Sequence, residues 1–196
     1  QDKAEGGNRG EGISASYLAG VVSAHLTYEH DIDGEEARIC AMFHNLGRML
    51  AIFYFFEESQ QVSRLMENHG LREESAAIKV LGISYNSIGL GVAKIWHMPS
   101  RIISGMQKLH GEKMRKPKTD AEQVTVTANL ANELCALAAS GKPQDKEKSL
   151  RLLCERYRQA LPVSERGLSL ALDSGLQELA KRAQIIGIDM VKSPLL

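Results

Sequence analysis

From Ile39 to Phe53, apolar residues return every three or four positions. Ile39, Met42, Phe43, Leu46, Leu50 and Phe53 thereby share one broad helical face. Just upstream, Asp33-Gly34-Glu35-Glu36 has the form of a capping box: Asp33 accepts from the Glu36 amide while Glu36 reaches back. The segment reads as the central core helix. The same period recurs along the chain, in Ile13, Tyr17 and Val21, in Val62, Leu65 and Met66, in Ile88, Val92 and Ile95, in Val124, Ala128 and Ala131, and in Leu150, Leu153 and Tyr157. No alternating strand and no internal repeat interrupts it. The expectation is an all-α chain of nine or ten helices.

Gly, Pro and Ser set the boundaries. Gly70 and Gly82 stop two short helices, Ser84 caps the next, and Pro99 suits the first turn of another after His97-Met98 breaks the pattern. Asp120 can cap a long helix that Ser140-Gly141-Lys142-Pro143 ends. Pro162-Val163-Ser164 and Ser174 open two further helices, the second closed by Gly187. Residues 1–12, rich in Gly, read as a flexible lead-in. Residues 13–140 then form the main bundle, and residues 145–196 a C-terminal helical extension packed on it. The opening at Gln1 and the closing Lys192-Ser193-Pro194-Leu195-Leu196 fit a piece of a longer protein with neighbouring domains.

Charge narrows the partners. Lys plus Arg and Asp plus Glu are each 24, so the chain has no global electrostatic reason to bind nucleic acid or an anionic membrane. No run approaches the roughly 18 apolar residues of a membrane span, and no secretory leader is visible. The three cysteines, Cys40, Cys135 and Cys154, form no CxxC pair; Cys40 and Cys135 lie among apolar residues and read as reduced core thiols of a cytoplasmic protein. The clearest local bias is a basic loop with Lys113, Arg115, Lys116 and Lys118, flanked by Arg101 and Lys108. It reads as a solvated loop or, alternatively, as a surface for an anion or an acidic partner. No aromatic residue interleaves with it, which weakens a single-strand nucleic-acid reading.

Two stretches carry a resemblance. One runs Glu36-Ala37-Arg38-Ile39-Cys40-Ala41-Met42-Phe43-His44-Asn45-Leu46-Gly47-Arg48; the other is Leu81-Gly82-Ile83-Ser84-Tyr85 followed by Trp96-His97-Met98-Pro99. In this order and spacing they resemble the HDOD family, signalling relatives of the HD metal phosphohydrolases. The resemblance implies a single HD-like helical bundle. It also implies where metal ligands would stand in a hydrolase of this class. There, imidazoles and carboxylates hold metal ions that polarise a phosphoryl oxygen and supply hydroxide.

Measured against that pattern, the ligands are eroded. His44 stands at the doublet histidine, but Asn45 replaces the aspartate, Tyr85 replaces the second-motif histidine, and Asn129 replaces the last aspartate. The upstream histidine position falls near Ser14 or Ser16, and His110 stands where a histidine pair is common. An amide is a poor ligand for a hard divalent cation, and two imidazoles do not make a catalytic site. Each residue also has a plainer role: His44 as a hydrogen-bonded core histidine, Tyr85 as a plug for the old cavity, Asn45 and Asn129 as a buried pair, Arg48 as an ion-pair partner and Trp96 as a packing anchor. The expectation is a cofactor-free bacterial pseudo-enzyme, a signal-transduction output or relay module. It would bind signalling proteins, neighbouring domains or a nucleotide-like ligand. The rival readings are a divergent phosphohydrolase of nucleotides or cyclic dinucleotides, needing Glu36 or Asp120 beside His44 and His110, and a nucleic-acid binder using residues 113–118.

Overall fold

The structure, a computed structural model, describes residues 2–28, 30, 32–140 and 146–186. Asp33 accepts from the backbone N–H groups of Glu35 and Glu36, each at 3.0 Å, and starts α2 (Gly34–Phe43) as its sequence demands. Glu36 does not reach back to complete the box; its carboxylate turns to Arg101. The expected central helix is two helices. α2 stops at His44-Asn45, and α3 (Leu46–Tyr54) follows at once. There the His44 N–H bonds back only three residues, to the Ala41 carbonyl at 3.4 Å, and Asn45 takes φ −103°, ψ 16°. The apolar face accordingly divides: Leu46 is buried, whereas Phe53 is 54% exposed.

α1 (Asp2–Thr27) begins well before Ile13, so residues 2–12 are helical rather than a lead-in. Once residues 16–27 are packed into the core, each residue added at the helix's N-terminal end gains a backbone bond without a new nucleation cost. α4 (Phe56–His69) and α5 (Glu73–Leu81) end at Gly70 and Gly82, whose φ values of 61° and 75° are the left-handed caps that glycine permits. Ser84 accepts from the Ser87 N–H and caps α6 (Tyr85–Ile95). Pro99 precedes α7 (Ser100–Gly105) as its cap rather than entering its first turn. Thr119, not Asp120, supplies the side-chain bond at the start of α8 (Asp120–Ser140), accepting from the Glu122 N–H. α9 is Lys146–Tyr157. α10 (Glu165–Ile186) runs through Ser174 without a break, merging two expected helices. Gly175, the next residue, lets α10 lie close against α1, since a Cβ there would lie 2.8 Å from the Val22 side chain. The stretch 141–145, Gly187 and the closing residues 192–196 lie outside the described residues.

The ten described helices and the absence of any strand among the described residues make an all-α bundle. The main core joins α1, α2, α8, α9 and α10 through Leu18, Val22, Cys40, Leu130, Leu134, Tyr157, Leu168 and Leu172. A smaller cluster of Ala51, Val62, Ala76, Ala77 and Tyr85 ties α3 to α4, α5 and α6. Cys40 and Cys135 are buried free thiols, and burial pushes both up to about 12. Trp96 is 56% exposed and is no packing anchor; it follows α6 at a turn where His97 holds a positive φ of 55°. No single described helix is long and apolar enough to cross a membrane.

Candidate functional site

The break between α2 and α3 places His44 and Asn45 at the floor of a cavity of about 880 Å³. α8 supplies one wall with Asn129 and Asn132, the 107–112 loop supplies Lys108 and His110, and α9 supplies Leu152 and Arg156. Four residues named from the eroded pattern, His44, Asn45, His110 and Asn129, therefore do line one cavity. Tyr85 does not. It starts α6 and its ring fills the separate cluster with Ala51 and Val62.

The asparagines pair differently from expectation. Asn45 Nδ2 donates to Asn132 Oδ1 at 2.8 Å, not to Asn129. Asn132 Nδ2 donates in turn to the carbonyls of Ala41 (3.0 Å) and Ala128 (2.9 Å), tying the end of α2 to α8. Asn129 pins the loop instead: its Oδ1 accepts from the Leu109 N–H and its Nδ2 donates to the Gln107 carbonyl, each at 2.9 Å. Asn132 was not singled out in the sequence. Its signal is the i, i+3 spacing from Asn129, which sets both amides on one face of α8.

His44 is 7% exposed, and its Nδ1 has no hydrogen-bond partner among the described residues. Burial, reinforced by the positive charge of Lys108, lowers its pKa to about 3. The imidazole is therefore neutral at physiological pH. Because the folded value lies below the usual value near 6.5, the unfolded chain takes up this proton first as pH falls. Stability is complete above about pH 6.5 and drains away on acidification toward the folded pKa. The expected loss is about 2 kcal/mol between pH 7 and pH 5. Denaturant melts across that window should show it, and His44→Gln should flatten that part of the profile.

Ion pairs occupy much of the rim. Arg48 and Lys108 share Glu73, at 3.1 and 3.2 Å, as the ion-pair reading of Arg48 requires. His110 faces Glu74 at 3.8 Å. Arg156 meets Glu133 at 2.9 Å, and Glu133 also accepts from the buried Tyr157 hydroxyl at 2.8 Å, which locks α9 onto α8. Burial raises the Glu133 carboxyl, while Tyr157 and Arg156 act to lower it. Glu73, Glu133 and Arg156 belong to no motif and became visible only in three dimensions.

The basic surface divides. Arg101 is held by Glu36 through two bonds of 2.7 Å, and Lys108 by Glu73, so neither is a free cation. Lys113, Arg115, Lys116 and Lys118 are exposed and make no ion pair with a described residue. Between them Met114 is buried, and its N–H donates to the Arg156 carbonyl at 2.8 Å.

The HDOD domain family matches residues 8–112 of the chain. The chain belongs to the HDOD family. The matched segment runs from α1 through the loop that carries His110, while α8 to α10 lie beyond it. The HDOD bundle also superposes on the crystal structure of "Putative phosphohydrolase from Shewanella amazonensis SB2B", with TM-score 0.65 and 18% identity, over 87% of this chain and 62% of that one. The likeness is one of fold, and the chain spans under two thirds of that structure. No curated protein shows significant similarity. The HD fold implies metal, but the donor set at this HDOD cavity does not fit one. The cavity's lining includes two imidazoles, three amides and the carboxylates of Glu73, Glu112 and Glu133, but Asn45 and Asn132 bond to each other, Glu73 and Glu133 are held by cations, and no three His, Cys, Asp or Glu side chains among the described residues are grouped to hold an ion.

Proposed function

We propose that this HDOD chain is a non-catalytic output or relay module of signal transduction, acting by binding rather than by phosphate hydrolysis. The observation that carries this reading is the Asn45–Asn132 bond. Where a hydrolase of this class would present an anionic oxygen to a metal, this chain presents an amide already bonded to another amide. Glu36, the carboxylate a divergent hydrolase would need, is committed to Arg101. The partners that suit such a module are signalling proteins or neighbouring domains of a longer, cytoplasmic bacterial chain. A small ligand is the other candidate occupant.

Elemental analysis of protein purified without added metal tests the reading, together with assays on cyclic dinucleotides and nucleotides. The expected result is under about a tenth of an equivalent of any transition metal and no turnover. About one equivalent of bound iron, manganese or zinc, accompanied by phosphate-ester cleavage that His44→Ala abolishes, would sink it.

A further inference from the structure

We propose that two copies of this chain pair through the corner between α3 and α4, with α4 lying antiparallel on α4 about a twofold axis. The inference goes beyond the relay reading and does not depend on it. Aromatic side chains give the first argument. Three of the chain's four phenylalanines, with Tyr54, fall in Phe53-Tyr54-Phe55-Phe56. The chain turns through 117° there, α3 ending at Tyr54 and α4 beginning at Phe56. Phe53, Tyr54 and Phe55 are 54%, 70% and 51% exposed, and the Phe53 and Tyr54 rings meet edge to face at 5.4 Å. Three consecutive exposed aromatics make an apolar patch of the kind a partner covers. Phe55 sharpens the point. It is the N-cap of α4 and makes no side-chain cap bond. Ser, Thr or Asp would stabilise the helix there, so the ring stands where it costs local stability.

Charge identifies the partner as a second copy. Glu57, Gln61, Arg64 and Asn68 form the outer stripe of α4, and all four are exposed. Glu57 and Arg64 stand two turns apart, roughly 10 Å along the axis. Neither makes an ion pair with a described residue. Opposite charges so placed on one helix are self-complementary when that helix meets its own copy antiparallel. A twofold axis between Gln60 and Gln61 sets each Glu57 beside the partner's Arg64. The same register carries the partner's Tyr54 toward Glu67, whose exposed carboxylate can accept from the hydroxyl. Glu58 lies off the stripe and is half-buried.

Analytical ultracentrifugation of the whole chain, from low-micromolar to sub-millimolar concentration, tests this. A monomer–dimer equilibrium is expected, with a dissociation constant of about 10–100 µM. Phe55→Ser should weaken it about tenfold or more, while the melting temperature of dilute protein stays unchanged or rises because serine caps α4. Glu57→Arg and Arg64→Glu should each weaken it about tenfold, since the twofold axis doubles every change. The variant carrying both exchanges should pair as the parent does. A monomer at every concentration overturns the inference and leaves the corner to a partner of another sequence. A dimer indifferent to Phe55→Ser lies on another face and overturns it equally. A double exchange no tighter than the single ones overturns the antiparallel register.

Discussion

Gly47→Ala is expected to destabilise the protein by about 3 kcal/mol or more, lowering the melting temperature by roughly 6–12 °C or preventing folding outright. The reason lies in the α3–α6 crossing. A Cβ at Gly47 would sit 1.8 Å from the Tyr85 carbonyl oxygen and 2.6 Å from the Gly89 N–H, and both are backbone atoms with no rotamer to change. Gly89 reciprocates, its own Cβ position lying 2.9 Å from the Gly47 nitrogen. The helices must separate to admit a methyl group, and His44-Asn45 sits immediately before the displaced turn. Gly91, in the same α6, supplies the control. Nothing lies within 4 Å of its Cβ position, so Gly91→Ala should stabilise by about 0.5–1 kcal/mol through helix propensity alone. Paired thermal melts read both signs. If the two variants melt alike, the close crossing is not there in solution.

Asn132→Ala carries the second large effect, about 2 kcal/mol by chemical denaturation. Asn132 is buried and makes three bonds, to Asn45 and to the Ala41 and Ala128 carbonyls. Truncation removes all three and leaves Asn45 Nδ2 to find water. Asn45→Ala should cost less, about 1 kcal/mol, because Asn45 is only half-buried and makes one such bond. The double variant should fall short of the sum by about 0.5–1 kcal/mol, the signature of a shared bond. Strict additivity would show that the two amides do not meet. The same cycle with Asn129 in place of Asn45 should add without coupling, since Asn129 bonds to the 107–109 loop and to Thr125 rather than to Asn132.

The helical class, most boundaries and the family were legible from the chain because period, caps and glycine stops are local signals. Asp33, Ser84, Gly70 and Gly82 act where their residue types say they should. The failures share a different cause. The helix break at His44-Asn45 and the continuity of α10 through Ser174 both lie beside glycines that meet another helix closely, Gly47 against α6 and Gly175 against α1. Periodicity carries no information about such crossings. At the site, the motif positions led to four of the cavity's residues, since their spacing is inherited with the fold. Asn45 was expected beside Asn129 because both stand in motif positions. One helical turn decided otherwise, and Asn132 took the bond. Arg72, Glu73, Glu133, Leu152 and Arg156 reach the cavity from α5, α8 and α9, and only tertiary packing brings them there.

The three asparagines at the joint between α2, the 107–109 loop and α8 carry no titrating group and need no counter-ion. A joint built from carboxylates and metal closes only while the cell supplies the ion, and its assembly rises and falls with metal scarcity and acidity. A joint built from amides closes through folding alone. Held by amides, the meeting of these three segments is indifferent to the supply of any metal ion.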